Sequence, residues 1–378
     1  MKIVHVYKDY YPPSYGGMEQ VIARMARQQV RDGHDVTVLA SASGLRSTVR
    51  ETVDGVRVIR CAEFGRVASA PVCPTMPLEL ARLRADIFHL HFPNPTGEIS
   101  WLLARPRGTL VVSYVSDIVR QRIVLPLYGP VIHYLLDQAA VILPCSDAYI
   151  ARSDFLRRRA GKCEVVALGD DMERFDGVRE RYAAEAAALR VRYGGGPITL
   201  FVGKLRYYKG LDVLLNAWPE APGTLVIIGE GIEGERLRAQ CAALHLNGRV
   251  IFGGEVGEAE LLAHLVAADI GVLPSTLPSE AYGLAMVEML AAGMPVVCTE
   301  LDTGTTFVNR HEETGLVVPP NDSPALAAAI TRLASDPALR ERLGAGGRER
   351  ALAVLSREAM MRDLYRGYDR ALSATLSR

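Results

Sequence analysis

The sequence predicts an α/β protein of two similar halves, each a parallel sheet with helices on its faces. Three observations carry that expectation. The chain has 378 residues, about two domains at roughly 150 residues each. It opens on a strand, a glycine-rich loop, a helix and a second strand, the beginning of a βαβ unit and hence of a parallel sheet. The same alternation starts again just after Gly194-Gly195-Gly196-Pro197.

Lys2–Tyr7 is a short apolar run and reads as the first strand. The loop Tyr10-Tyr11-Pro12-Pro13-Ser14-Tyr15-Gly16-Gly17 leads into a helix from about Met18 to Arg31, where Val21, Ile22, Met25, Ala26 and Val30 recur at helical spacing. Gly33 ends that helix and Asp35–Ala40 is the next strand. Val56–Arg60, Ile87–His91, Leu110–Tyr114, Ala140–Pro144 and Cys163–Leu168 read as further strands. Tyr182–Val191 reads as a helix, and Ile198–Val202 as a new first strand. Leu225–Gly229, Val250–Phe252, Ile270–Leu273 and Pro295–Cys298 follow as strands with helices between them. The expected domains are residues 1–190 and 191–355. Open α/β sheets bind ligands beyond the carboxyl ends of their strands, so a ligand cleft between the halves is expected.

Composition excludes several classes. Apolar residues make up 49% and charged residues 23%, which argues against disorder. Lys and Arg number 43, as do Asp and Glu, so the chain lacks the basic excess of a dedicated nucleic-acid binder. Six scattered cysteines without a Cys-x-x-Cys pair read as buried thiols of a reduced compartment, not a disulfide frame or zinc site. No leader is read at the start, and the apolar stretch Ile123 to Leu136 is too short for a bilayer and carries Pro126 and Pro130. A cytoplasmic protein is expected, with peripheral contact at the inner face of a membrane as a partner. Residues 1–190 carry 25 basic against 21 acidic residues, leaving 18 against 22 in the remainder. Arg152, Arg157, Arg158, Arg159 and Lys162 cluster beside Phe155 and Leu156, either as a solvated helix face or as a contact for anionic lipid headgroups.

The chemistry concentrates in Ser279–Val297. Glu280 precedes a helix and Glu288 sits about two turns along it, with Tyr282 between them. Gly283 permits close backbone approach at the helix start, where free N–H groups and the helix dipole favour an anion. An acid, an anion site and a second acid suit a ligand with hydroxyls at both ends and a diphosphate between. A second cluster, Phe201 to Gly210, places Lys204, Arg206 and Lys209 directly after a strand, on the expected cleft side, where cations match a diphosphate. Gly16-Gly17 opens the first helix and reads either as a tight turn or as a second backbone approach to that ligand.

Glu280-x7-Glu288, Gly203-Lys204-Leu205 through Lys209-Gly210 and the Gly16-Gly17 loop resemble the family 4 retaining glycosyltransferases over essentially the whole chain. That family has the GT-B fold, two Rossmann-like domains with parallel sheets facing a central cleft. His91 to Pro95, Ser116 to Gln121, Thr303 to Asn309 and Glu313 to Asp322 are similar to the bacterial polysaccharide mannosyl- and D-rhamnosyltransferases. The resemblance implies acceptor binding by residues 1–190, nucleotide-sugar binding by 191–355, and a helix, 356–378, crossing back to the first domain. It implies that Glu288 holds the ribose, that Glu280 meets the transferred hexose, and that Lys204 and Lys209 neutralise the diphosphate with backbone help at Gly283-Leu284 and Gly17. Arg206, Tyr282, Gly16, Glu230 of Gly229-Glu230-Gly231 and Phe252, near the expected base site, complete the donor set; for Glu230 a surface turn is an equal reading. Asn94, Tyr114, Asp117 and Arg120 are the acceptor candidates. No metal ligand set and no cofactor beside the nucleotide-sugar co-substrate is expected, because no Asp-x-Asp motif is present.

The implied activity is transfer of a hexosyl group, with retention, from a nucleotide-sugar to a glycan or lipid-linked saccharide, with GDP-mannose or GDP-D-rhamnose favoured. Alternatives are a UDP-sugar-dependent transferase, a nucleotide-sugar epimerase, and a catalytically impaired nucleotide-sugar-binding subunit. The last is motivated by Val115, where relatives usually carry a histidine. His89 and His91 stand either as its substitutes or as structural residues. Relatives usually have Arg at the place of Lys204, and Lys keeps the charge but loses the bidentate fork. Asp171 reads either as part of the hinge or as a helix N-cap for Met172–Phe175.

Overall fold

The computed structural model describes residues 1–14, 16–67, 70–117 and 125–376. Contacts divide the chain into two units, Met1–Leu168 with Arg357–Arg378, and Gly169–Ser356.

The first unit opens on β1 (Lys2–Val6), α1 (Gly17–Arg31) and β2 (Asp35–Ala42), the βαβ start read from the sequence. An antiparallel hairpin joins β3 (Val49–Val53) to β4 (Val56–Ala62). A two-residue ribbon of β5 (Arg66–Val67) and β6 (Ala70–Pro71) precedes α2 (Met76–Arg82), β7 (Ile87–Phe92), α3 (Pro95–Ala104) and β8 (Thr109–Tyr114). Then come α4 (Leu125–Gln138), β9 (Val141–Pro144), α5 (Asp147–Arg152) and α6 (Asp154–Arg157). The sheet order is β3-β4-β2-β1-β7-β8-β9, parallel except for the β3–β4 edge. β1 and β7–β9 are apolar because helices cover both faces of a parallel sheet. α1 turns Ile22, Ala23 and Ala26 onto Val36, Val38 and Val58, all fully buried.

The second unit holds α7 (Val178–Arg181), α8 (Ala183–Arg192), β10 (Ile198–Val202), α9 (Leu211–Ala217), β11 (Thr224–Ile228), α10 (Gly234–Ala243) and β12 (Val250–Gly254). α11 (Glu258–Ala267), β13 (Ile270–Leu273), α12 (Leu284–Ala291), β14 (Val296–Thr299), α13 (Thr305–Val308), β15 (Gly315–Val318), α14 (Ser323–Ser335) and α15 (Pro337–Val354) follow. Its six strands are all parallel, in the order β12-β11-β10-β13-β14-β15. Asp322 and Asp336 cap α14 and α15, accepting the N–H groups of Ala325 at 2.8 Å and Leu339 at 2.9 Å. The last helix, α16 (Arg357–Leu376), groups with the first unit and packs on β8, β9 and α1.

Three sequence expectations differ from the structure. The units divide at residue 168/169, not near 190, because Gly169–Tyr193 is tied to the second sheet. Arg179 donates to the carbonyls of Ala292 and Gly293, and α8 packs on α11. Cys163–Leu168 is not a strand of the sheet. It makes one bridge to Ile142 and two backbone bonds alongside β9. β3 goes unread because Val-Arg-Glu-Thr-Val is polar, but Asp54 and Gly55 behind it both have positive φ, 49° and 80°, the signature of a tight hairpin.

Candidate active site

The strand order places the site. In the second sheet the chain runs outward from β10 in both directions, so the loops after β10 and β13 part and leave a crevice. Lys204, Arg206 and Lys209 lie on the first loop, and Ser275 and Glu280 on the second. Glycines let these loops and their neighbour approach one another. A Cβ at Gly210 (φ 66°) would strike the Pro274 carbonyl, and one at Gly229 (φ 123°) would strike the Gly203 carbonyl. Backbone bonds fix the contact, from Thr276 N to the Tyr208 carbonyl at 2.8 Å and from Leu205 N to the Glu230 carbonyl at 2.9 Å.

Lys209 and Glu280 form a buried ion pair, Nζ to Oε2. Ser275 donates its hydroxyl to the same oxygen at 3.1 Å, and Thr303 donates to the Glu280 backbone carbonyl at 2.9 Å. Burial would lower the Lys209 ammonium, but the Glu280 carboxylate beside it outweighs burial and holds it above the ordinary lysine value. The pair is internally neutral, so the uncompensated positive charge of the loop resides on Lys204 and Arg206. Both are exposed and have no side-chain partner among the described residues. Gly283 adopts φ 83° before α12 and presents the helix start, with Leu284 as its first residue. Tyr282 is buried at 3% exposure and packs against Gly304, so its ring shapes the loop.

Glu288 lies on α12 with its side chain 17% exposed, and Arg174 donates to its Oε1 at 2.7 Å. Glu230 is exposed on the loop after β11. Phe252 is half-buried in β12, with the Arg238 guanidinium 4.6 Å from its ring centre. The second unit therefore gathers Lys204, Arg206, Lys209, Glu280, Gly283 and Leu284 at the carboxyl edge of one sheet, with Glu288 further along α12. Ser275, Thr303 and Arg174 were not read as site residues from the sequence. Ser275 lies in the loop directly after β13, and Thr303 starts the Thr303–Asn309 segment. Arg174 had no local signal, since its contact spans 114 positions.

In the first unit, Gly16 is the N-cap position of α1 and Gly17 its first residue, and the buried Glu19 carboxylate folds back against Gly16. Two acceptor candidates need correction. Asn94 is 1% exposed and caps α3, accepting from Gly97 N at 3.3 Å, while its own N–H donates to Glu98 at 2.5 Å. Tyr114 has no exposed surface; it stacks on Phe92 and donates to Asp117 at 2.5 Å. Neither side chain is presented to a ligand, because both fill the space beneath the strand ends. Asp117 is half-buried and also accepts from Ser153 at 2.8 Å. Arg120 lies outside the described residues. Val115 is 8% exposed. Asp171 occupies the N-cap position of Met172–Phe175 but makes no side-chain capping bond.

His89 and His91 join His5 in a buried cluster on one face of β1 and β7, with ligand nitrogens within 4.8 Å of one another. That spacing could hold a metal, but five of the six nitrogens already have partners. His5 bonds Gln29 at 2.7 Å and His91 at 3.0 Å; His89 bonds Tyr368 and Ser113, each at 2.7 Å. The Gln29 amide oxygen can only accept, so His5 carries its proton on Nε2. Its Nδ1 then accepts from His91 Nε2, which leaves His91 Nδ1 a bare, buried acceptor. The cluster is thus a tautomer-ordered network that joins α1 and α16 to the sheet, and burial holds all three rings neutral.

Comparisons with known proteins show the family. The family model described as "Glycosyl transferases group 1" matches residues 188–350, and that described as "Glycosyl transferase 4-like domain" matches residues 16–169. The chain is 32% identical to the O-antigen chain mannosyltransferase C of Escherichia coli, covering 96% of each chain. It is 35% identical to the D-rhamnosyltransferase WbpZ of Pseudomonas aeruginosa, covering 91% of this chain and 89% of that one. The chain belongs to the retaining family 4 glycosyltransferases. This glycosyltransferase is a hexosyltransferase with the GT-B fold. A solved sucrose-phosphate synthase from Thermosynechococcus elongatus has the same fold, with a TM-score of 0.81, 24% identity and 99% of each chain covered.

Proposed function

We propose that this glycosyltransferase moves a mannosyl or D-rhamnosyl group from its GDP-sugar to a growing surface glycan or lipid-linked saccharide. The observation that carries the reading is the pairing of unpartnered cations, Lys204 and Arg206, with two carboxylates, Glu280 and Glu288, around one switch-point crevice. Similarity to a mannosyl- and a rhamnosyltransferase over nearly the full chain favours those sugars and their acceptor class.

In this reading the Glu288 carboxylate, held by Arg174, accepts the ribose hydroxyls. Glu280 directs its own open oxygen at the hexose. Lys204, Arg206 and the α12 N-terminus receive the charge that grows on the diphosphate as the bond from the anomeric carbon to the phosphate oxygen breaks. The acceptor oxygen bonds to the anomeric carbon on the face the diphosphate leaves, and the acceptor proton passes to the departing phosphate oxygen. Side-chain cations serve where a metal would otherwise neutralise the diphosphate, so no metal cofactor is required.

A lipid-linked acceptor would bring the protein to the inner face of a membrane as a peripheral partner. No helix among the described residues is long and apolar enough to cross one. The basic cluster offers limited support for that contact, because Arg157, Arg159 and Lys162 are engaged by Asp154, by Asp137 and by the carbonyls of Asp137 and Ala139. A second reading, a donor-binding subunit without turnover, is favoured by Val115 alone.

The test is a thermal-shift panel of GDP-, UDP-, ADP- and dTDP-sugars, followed by release of nucleoside diphosphate with a saccharide acceptor. GDP-sugars should raise the melting point most, and Glu288→Ala should abolish release. Full activity of that variant, or a larger shift with UDP-sugars, would overturn the assignment of residue or donor respectively. Donor binding without release across an acceptor panel would establish the second reading.

A further inference from the structure

We propose that the second unit carries a separate anion site, at the amino end of its sheet, that takes a small phosphorylated polyol. A cavity of about 560 Å³ opens there, bordered by the starts of β13 and β14, by α8 and by the first half of α15. Its size is that of a small-molecule site. β13 and β14 are four residues each, so about 13 Å of strand separates this cavity from the loops that carry Lys209 and Glu280.

Its charge is arranged for an anion. Four arginines line it, facing Asp269 and Glu341. Arg190 is consumed by Asp269, at 3.1 and 3.2 Å, and by the Ala267 carbonyl at 2.7 Å. The other three keep their charge. Among the described residues, Arg179 donates only to the neutral carbonyls of Ala292 and Gly293, at 3.3 and 3.2 Å, and Arg340 only to those of Leu333 and Ala334, at 2.6 and 2.8 Å. Arg348 has no side-chain partner among the described residues, and neither has Glu341. Three uncompensated guanidiniums therefore face one open carboxylate. Arginine forks match phosphate oxygens in pairs, and a carboxylate among them repels a bare anion but accepts hydroxyl protons. A phosphate joined to a polyol satisfies both groups, which is why that class is favoured over phosphate alone.

The experiment is calorimetric titration at low ionic strength, where partly exposed charges are least screened, with glycerol 3-phosphate and inorganic phosphate as probes. Wild type, Arg348→Ala, Arg348→Gln and Lys204→Ala are compared, each with and without saturating GDP. Both Arg348 variants should melt with the wild type, since the side chain they remove has no partner. The expected result is saturable binding of glycerol 3-phosphate, tighter than phosphate and weakened about tenfold or more in both Arg348 variants. That binding should survive Lys204→Ala and GDP. No saturable binding, or binding that GDP displaces or Lys204→Ala removes, would overturn the site. Equal affinity for the two probes would overturn the polyol class.

Discussion

Acidification should weaken the first unit through its three buried histidines. The free imidazole takes a proton near pH 6.5, but burial lowers His5 to about 4 and places His89 and His91 well below their ordinary value. The unfolded chain then binds protons that the folded chain refuses, so stability falls as pH drops below about 6.5. Each imidazole that stays neutral in the fold costs about 1.4 kcal/mol per pH unit in that range. Glu98 acts in the opposite sense. Burial raises its carboxyl to about 7, so it gains a proton on folding and returns stability as pH falls toward its unfolded value near 4.5. Between pH 7 and 5.5 that offsets roughly the cost of one imidazole, so the other two leave a net loss on the order of 2 kcal/mol. A typical domain is stable by only about 5–15 kcal/mol, so the loss is measurable. Amide exchange in β1, β7 and β8 reports this unit separately from the other. Histidine ring resonances between pH 8 and 5 check the cause directly. A midpoint near 6.5 for any of the three rings, or exchange protection that does not fall by pH 5.5, would refute the reasoning.

The two lysines of the β10 loop should separate function from stability. Lys204→Ala removes an exposed, unpartnered charge; its melting curve should stay within about 0.5 kcal/mol of wild type, while turnover falls by about 10²–10³. Lys209→Ala instead strands the Glu280 carboxylate, 7% exposed, and should destabilise the second unit by about 3–5 kcal/mol in urea melts. Arg174→Ala should raise donor KM about tenfold with a smaller change in kcat, because Glu288 loses the charged bond that orients it. Arg174→Lys should recover only part of that affinity, since an ammonium cannot reproduce the guanidinium geometry.

Much of the fold was legible before any coordinates. Ile198–Val202 and Ile270–Leu273 are observed over the same residues, and the other strands read from the sequence lie within one or two, except Cys163–Leu168; β15 went unread. An apolar run bounded by glycine or proline is a local signal, and covered parallel strands consist of such runs. The hairpin at Val49–Val53 was missed because its residues are polar and mostly exposed, leaving only Asp54-Gly55 to announce it. The site was legible in part. The cations and the two glutamates stand beside strand and helix ends, where a sequence pattern points at chemistry.

Sequence by itself determined the residue types on each loop, the alternation that makes two parallel sheets, and the family. Tertiary structure alone decided which polar groups face a ligand and which are consumed by the protein. Asn94 became a helix cap, Tyr114 a buried prop for Asp117, and the three histidines a sealed network. Arg174 met Glu288 across 114 positions. A side chain's partners are set by distance in space, and strand order, which no local pattern specifies, sets that distance.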